Sequence, residues 1–198
     1  MNAALLFAGG AAVGISVGAL GASLLAPGGW LPRALHQHFS TQTANDANAG
    51  AAVHTQKTFD FLAQAPWEKA APLFGADRER VWAPEWNPSF LWPQAAADRE
   101  GMVFTVPHDG RTAVWLNTAY DPAAGRFQYV YVLPDIVATM ITVQLTRAAE
   151  ATQVHVTYER TALSLHANEH VITMAERDAH AGPEWERQIN SYLMAKPK

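Results

Sequence analysis

The sequence predicts an α+β chain: an antiparallel meander of strands followed by a C-terminal helix, behind an apolar N-terminal segment. Three observations predict it. Residues 101–163 alternate apolar and polar side chains between regularly spaced turn signals, residues 164–193 carry apolar side chains near helical spacing, and Ala3 to Ala26 is a run of 24 residues without a charge.

Residues 1–30 form the membrane-directed segment. The few polar side chains between Ala3 and Ala26 are small, Ser16 among them, and about 20 such residues suffice to cross a bilayer. Pro27, Gly28 and Gly29 stop the helix, and Trp30, Pro32 and Arg33 supply an interfacial aromatic and a cation. These flanks favour a single-pass transmembrane anchor. The alternative is a signal peptide cleaved on export, which the missing Lys or Arg at the start and the lack of a clean cleavage site weaken. Gly10, Gly14 and Gly18 recur every four residues, followed by Ala22, and so share one helix face on which a second copy can pack. Chance spacing in an Ala- and Gly-rich run is the competing explanation. Residues 31–52 end in the small, polar stretch STQTANDANAGAA and read as a flexible linker.

The domain is expected over residues 53–198. Val53 to Leu62 reads as a strand with Phe59 and Phe61 on one face. Pro66 opens a short helix through Trp67, Ala70, Leu73 and Phe74, with Gly75 as its expected cap. Asp77 to Pro93 holds Pro84, Pro88 and Pro93 among Trp82, Trp86, Phe90 and Trp92, and is expected to be an aromatic loop without a regular element. Strands follow at 101–107, 111–120, 126–133, 136–147 and 152–163, joined by tight turns such as His108-Asp109-Gly110 and Pro134-Asp135. Alternation puts Phe127, Tyr129, Tyr131 and Leu133 on one face, and Val154, Val156, Tyr158, Arg160 and Ala162 on one face of the last strand. Ser164 is a natural N-cap for the closing helix, which carries Val171, Ala175, Trp185, Ile189 and Leu193. Pro183 within it either kinks the helix or starts a second one.

Composition narrows the function. With 49% apolar and 16% charged residues among 198, the chain has enough apolar material for a real core. A net charge of -4 without a basic stripe argues against nucleic acid as a partner. The absence of cysteine excludes disulfides, thiolate metal sites and cysteine nucleophiles. There is no phosphate loop, dinucleotide fingerprint or nucleophile elbow, so no cofactor is implied.

The stretch Arg80-Val81-Trp82-Ala83-Pro84-Glu85-Trp86-Asn87-Pro88, followed by Phe90-Leu91-Trp92-Pro93, resembles a tryptophan-proline segment of a bacterial branch of the SRPBCC family, within the START and polyketide-cyclase-like superfamily. Trp115 to Pro122, Thr157 to Leu163, and Trp185-Glu186-Arg187 with Asn190, Tyr192 and Leu193 are similar to the same branch. The resemblance spans roughly residues 53–195. It implies a helix-grip fold, in which a bent antiparallel sheet of about six strands wraps a long C-terminal helix and leaves a cavity for an apolar small molecule or lipid. Glu85 stands where the family pattern often has glycine, and Gly182-Pro183 interrupts a helix that is usually continuous. The resemblance carries over no catalytic residue. It implies a binding or carrier module, with a cyclase- or dehydratase-type enzyme and a chaperone-type interaction module as alternatives.

Candidate ligand contacts follow from the inward faces and the aromatic loop: Trp82, Trp86, Phe90, Trp115, Tyr129, Tyr131, Tyr158 and Arg160. Arg160 and Tyr158 can receive a carboxylate or carbonyl, although an arginine near a strand end can instead snorkel to the rim or pair with Glu79 or Glu100. The aromatics can equally be core. His166-Ala167-Asn168-Glu169-His170 matches H-x-x-E-H, for which a solvated helix face is the default reading and no metal is expected.

Overall fold

The computed structural model describes residues 50–108 and 110–195. The apolar segment 3–26 with Gly10, Gly14 and Gly18, and the linker as far as residue 49, lie outside the described residues. Among the described residues no helix is long and apolar enough to cross a membrane.

Strand β1 (His54–Ala63) leads into helix α1 (Trp67–Ala70), a 3-10 turn at Ala71–Leu73 and a second at Arg78–Val81. Six strands follow: β2 (Ser89–Trp92), β3 (Val103–His108), β4 (Arg111–Asp121), β5 (Arg126–Leu133), β6 (Val137–Ala148) and β7 (Ala151–Ala162). Helices α2 (Asn168–Ala179) and α3 (Gly182–Met194) end the described chain. All neighbouring strands are antiparallel, in the order β1-β7-β6-β5-β4-β3-β2. The five meander strands and their inward faces lie where alternation puts them, because each has one wet and one buried face.

Four local expectations need correction. The sheet has a seventh strand, β2, inside the stretch read as loop. It fits between Pro88 and Pro93 at the sheet edge, where flanking prolines cost no ladder bonds. The single long C-terminal helix is two helices, as the second of the two readings of Pro183 has it, and Pro183 sits in the first turn of α3. A Cβ on Gly182 would lie 3.3 Å from Phe59, so the break lets the chain pass close over β1. Gly75 is not a left-handed cap; a Cβ there would lie 2.4 Å from the Asp98 carboxyl carbon, so the missing side chain makes room for Asp98. Ser164 caps no helix amide, and its hydroxyl donates to the Asp135 carbonyl at 2.9 Å. The turn at Glu85 has no positive φ, so it makes no demand for glycine.

The helices lie against the inner face of β1 and β7. Val171, Met174, Ala175 and Asp178 of α2 and Ile189 of α3 are buried. Asn190 clamps one end of β1, accepting from the Gln64 amide at 2.8 Å and donating to the Leu62 carbonyl at 3.0 Å. Asn168 holds the other end through the Val53 amide at 2.8 Å.

Candidate functional site

The register sets most of the candidate residues in two adjacent rows across the inner face. One row runs Phe90, Phe104, Trp115, Tyr131, Thr139, Arg160 and Thr55, from edge β2 to edge β1. The next holds Asn117, Tyr129, Ile141 and Tyr158. A bulge at Thr118 separates the pairs Asn117–Tyr129 and Ala119–Gln128 and bends the sheet beside the second row.

The first row is an aromatic stack ending in a charge. Trp115 stacks on Tyr131 with ring centroids 4.3 Å apart and on Phe104 at 5.7 Å. Trp86 meets Trp115 edge-on at 5.2 Å, and Phe90 tilts over Phe104 at 6.0 Å. Trp115 and Tyr131 are buried, whereas Trp86 and Phe90 are half-buried, so the stack runs from the interior to the surface. Two contacts of Arg80 hold that outer end: its guanidinium lies 4.8 Å from the Phe90 ring centre and donates to the Pro88 carbonyl at 2.6 Å. Trp82 belongs to a separate cluster with Trp185 of α3, 5.3 Å away, which also touches Phe59 and Phe61.

Arg160 is 1% exposed and does not reach the rim. Its partner is Asp178 on α2, not Glu79 or Glu100: Nε donates to Oδ2 at 2.5 Å and Nη2 to Oδ1 at 2.8 Å. Nη1 donates to the Tyr131 hydroxyl at 2.5 Å and to Thr139 Oγ1 at 3.0 Å. Burial works against the guanidinium's charge, yet Tyr131 and Asp178 outweigh it and hold its pKa above the ordinary value. Tyr158 lies beneath, its ring centre 4.9 Å from the guanidinium, and burial pushes its hydroxyl well above the usual phenol range. Sequence reasoning missed Asp178. Its signal was spacing: it continues the stripe Val171, Met174, Ala175 on the buried face of α2.

A second polar corner surrounds Tyr129. Its hydroxyl donates to the Phe74 carbonyl at 2.9 Å while Glu79 is protonated and can donate to the Glu79 carboxylate once that ionises. Burial, helped by the charge of Asp98, pushes the Glu79 carboxyl up to about 8, and the bond to Tyr129 only partly offsets this. At neutral pH Glu79 is therefore mostly a neutral acid. Asp98 accepts from the amides of Asp77 at 2.8 Å and Arg78 at 3.1 Å, and burial raises its pKa in spite of those bonds. Among the described residues no cluster of three or more His, Asp or Glu is arranged to hold a metal. In the H-x-x-E-H motif, His166 belongs to the 3-10 turn Leu165–Ala167 and His170 to α2.

No family model and no curated protein sequence matches the chain. Solved structures do. Norcoclaurine synthase from Thalictrum flavum superposes with a TM-score of 0.53 at 11% identity, over 89% of this chain and 100% of that one. The Zhui aromatase/cyclase from Streptomyces sp. R1128 gives 0.52 at 18% identity, over 72% and 98%. An uncharacterized protein from Rhizobium leguminosarum gives 0.52 at 15% identity, over 71% and 97%.

Proposed function

We propose that this chain, which has the helix-grip fold of the SRPBCC superfamily, is a binding and carrier module for an apolar small molecule or lipid held between the inner sheet face and the C-terminal helices. One observation carries the reading: the aromatic row runs unbroken from buried Tyr131 to half-buried Trp86 and Phe90. The half-buried outer end of the row, Trp86 and Phe90, is the aromatic surface a planar or long apolar guest would meet first. Because Asp178, Tyr131 and Thr139 already take the donors of the guanidinium, the polar end of a guest is not expected to engage Arg160. The test is extraction of purified protein with organic solvent, followed by mass spectrometry and titration against a lipid and aromatic panel. A recurring apolar passenger, displaced by panel members and lost in Trp115→Ala, supports the proposal; repeated emptiness with no binding overturns it.

A specific observation favours a second reading, a cyclase- or dehydratase-type enzyme. The neutral Glu79 acid beside the Tyr129 hydroxyl can protonate a carbonyl and recover the proton from carbon. Under this reading Glu79→Gln retains the guest and loses its conversion.

A further inference from the structure

The outer face of the sheet carries an apolar band that the domain leaves uncovered. Outward residues line up across five strands as Trp92, Val103, Leu116, Val130 and Met140. A parallel row contributes Val114 and Val132, which pair directly. Trp92 is 52%, Val114 47%, Leu116 38% and Val132 37% exposed, so these are not core side chains glimpsed through gaps. No charged residue interrupts either row from β2 to β6.

We propose that this band is a bilayer-docking face, brought to lipid by insertion of the N-terminal segment 3–26. The chain enters the domain through β1, on a row that continues into the band. His54, the first residue of β1, stands on the cross-strand row Thr161, Ala138, Val132, Val114. At about 4.8 Å per strand, Val132 lies roughly 14 Å from that entry point. A flexible linker the length of residues 31–52 spans about 26 Å on average, so insertion of 3–26 keeps the band within reach of the membrane surface.

The chemistry of the face and of the segment agree on lipid as the occupant. A segment apolar on all sides can bury only one side against a flat sheet, whereas a bilayer covers it completely. Trp92 stands at the end of its row with the Arg99 guanidinium 4.9 Å from its ring centre, an aromatic and a cation suited to the headgroup boundary. The chain's net charge of -4 makes attraction to anionic lipid an unsuitable driving force, so docking rests on apolar contact.

The experiment uses the full chain reconstituted into phosphatidylcholine vesicles that contain brominated acyl chains, which quench tryptophan at short range. Trp30 flanks the membrane segment, so the measurement is made in a Trp30→Phe background. Quenching is expected there and is expected to fall mostly away when Trp92→Phe is added. Val114→Asp with Val132→Asp is expected to abolish it while the chain stays on the vesicles and keeps its circular dichroism. Both aspartates point away from the inner face, so guest binding there should persist, which separates this proposal from the proposed function. Unquenched Trp92 on vesicle-bound protein overturns the proposal. So does a chain that does not associate with vesicles, or a dimer broken by the same aspartates, which assigns the band to a second copy.

Discussion

The inner face of the sheet buries polar groups in two places, and it treats charge oppositely in each. Beside β7 and α2, Arg160 is matched by Asp178 through two hydrogen bonds, and Tyr131 and Thr139 take further donors. Around Tyr129, Glu79 faces a phenol and the charge of Asp98, with no cation among the groups that set its pKa. In a medium of low dielectric a charge survives where a partner of opposite sign is fixed beside it. Where none is fixed, the group gives up its charge. The first arrangement pins a helix to the sheet; the second keeps a proton available inside the fold.

Halving the ion pair should have the largest effect. Asp178→Ala leaves the Arg160 guanidinium buried without its counter-charge, a defect that costs about 3–5 kcal/mol, and denaturant unfolding should show that loss. Replacing both partners, Arg160→Met with Asp178→Leu, should recover most of it, since apolar groups of similar volume need no counter-charge. A double variant as unstable as the single one would mean that the pair's geometry, and not the stranded charge, holds α2 in place.

That pair also marks where the sequence stops being legible. The strands could be read because a half-buried strand writes its orientation in every second residue, and so Arg160 was seen to point inward. Its partner depends on how α2 is laid across β1 and β7, which the Gly182–Phe59 approach and the two asparagine clamps help to fix. No local pattern encodes that. Strand β2 was hidden because four residues between prolines are too few to show alternation. Glu79, on a 3-10 turn between Arg78 and Arg80, looks solvated in sequence. Two of the groups that shift its pKa, Asp98 and Tyr129, come from distant parts of the chain and reach it only in the folded state.

The neutral corner makes an opposite prediction for pH. Burial and the charge of Asp98 push the Glu79 pKa up to about 8 from the ordinary 4.5, so between these values the folded state holds a proton that the unfolded chain has released. Stability should therefore fall as pH rises from about 4.5 and level off above about 8, by a few kcal/mol at most. Glu79→Gln removes the titration. Thermal unfolding at pH 5 and pH 8 should show a smaller difference in the variant than in the parent. An unchanged difference would assign the pH dependence to other groups.

The smallest effects are expected at a single atom, since in each corner one tyrosine hydroxyl is hydrogen-bonded to the groups that define it. Tyr131→Phe deletes an acceptor of a charged donor, for which about 1.5–3 kcal/mol is expected, with the stack on Trp115 left in place. Tyr129→Phe deletes a bond to the neutral Phe74 carbonyl and should cost nearer 1 kcal/mol. The second change carries a signature the first lacks. The Tyr129 hydroxyl holds the Glu79 pKa down, so its removal should move the carboxyl's titration midpoint above about 8, observable by carbon NMR of labelled glutamate. Tyr131→Phe, on the neighbouring row, should leave that midpoint where it was. If both variants moved it equally, the two corners would be one electrostatic unit rather than two.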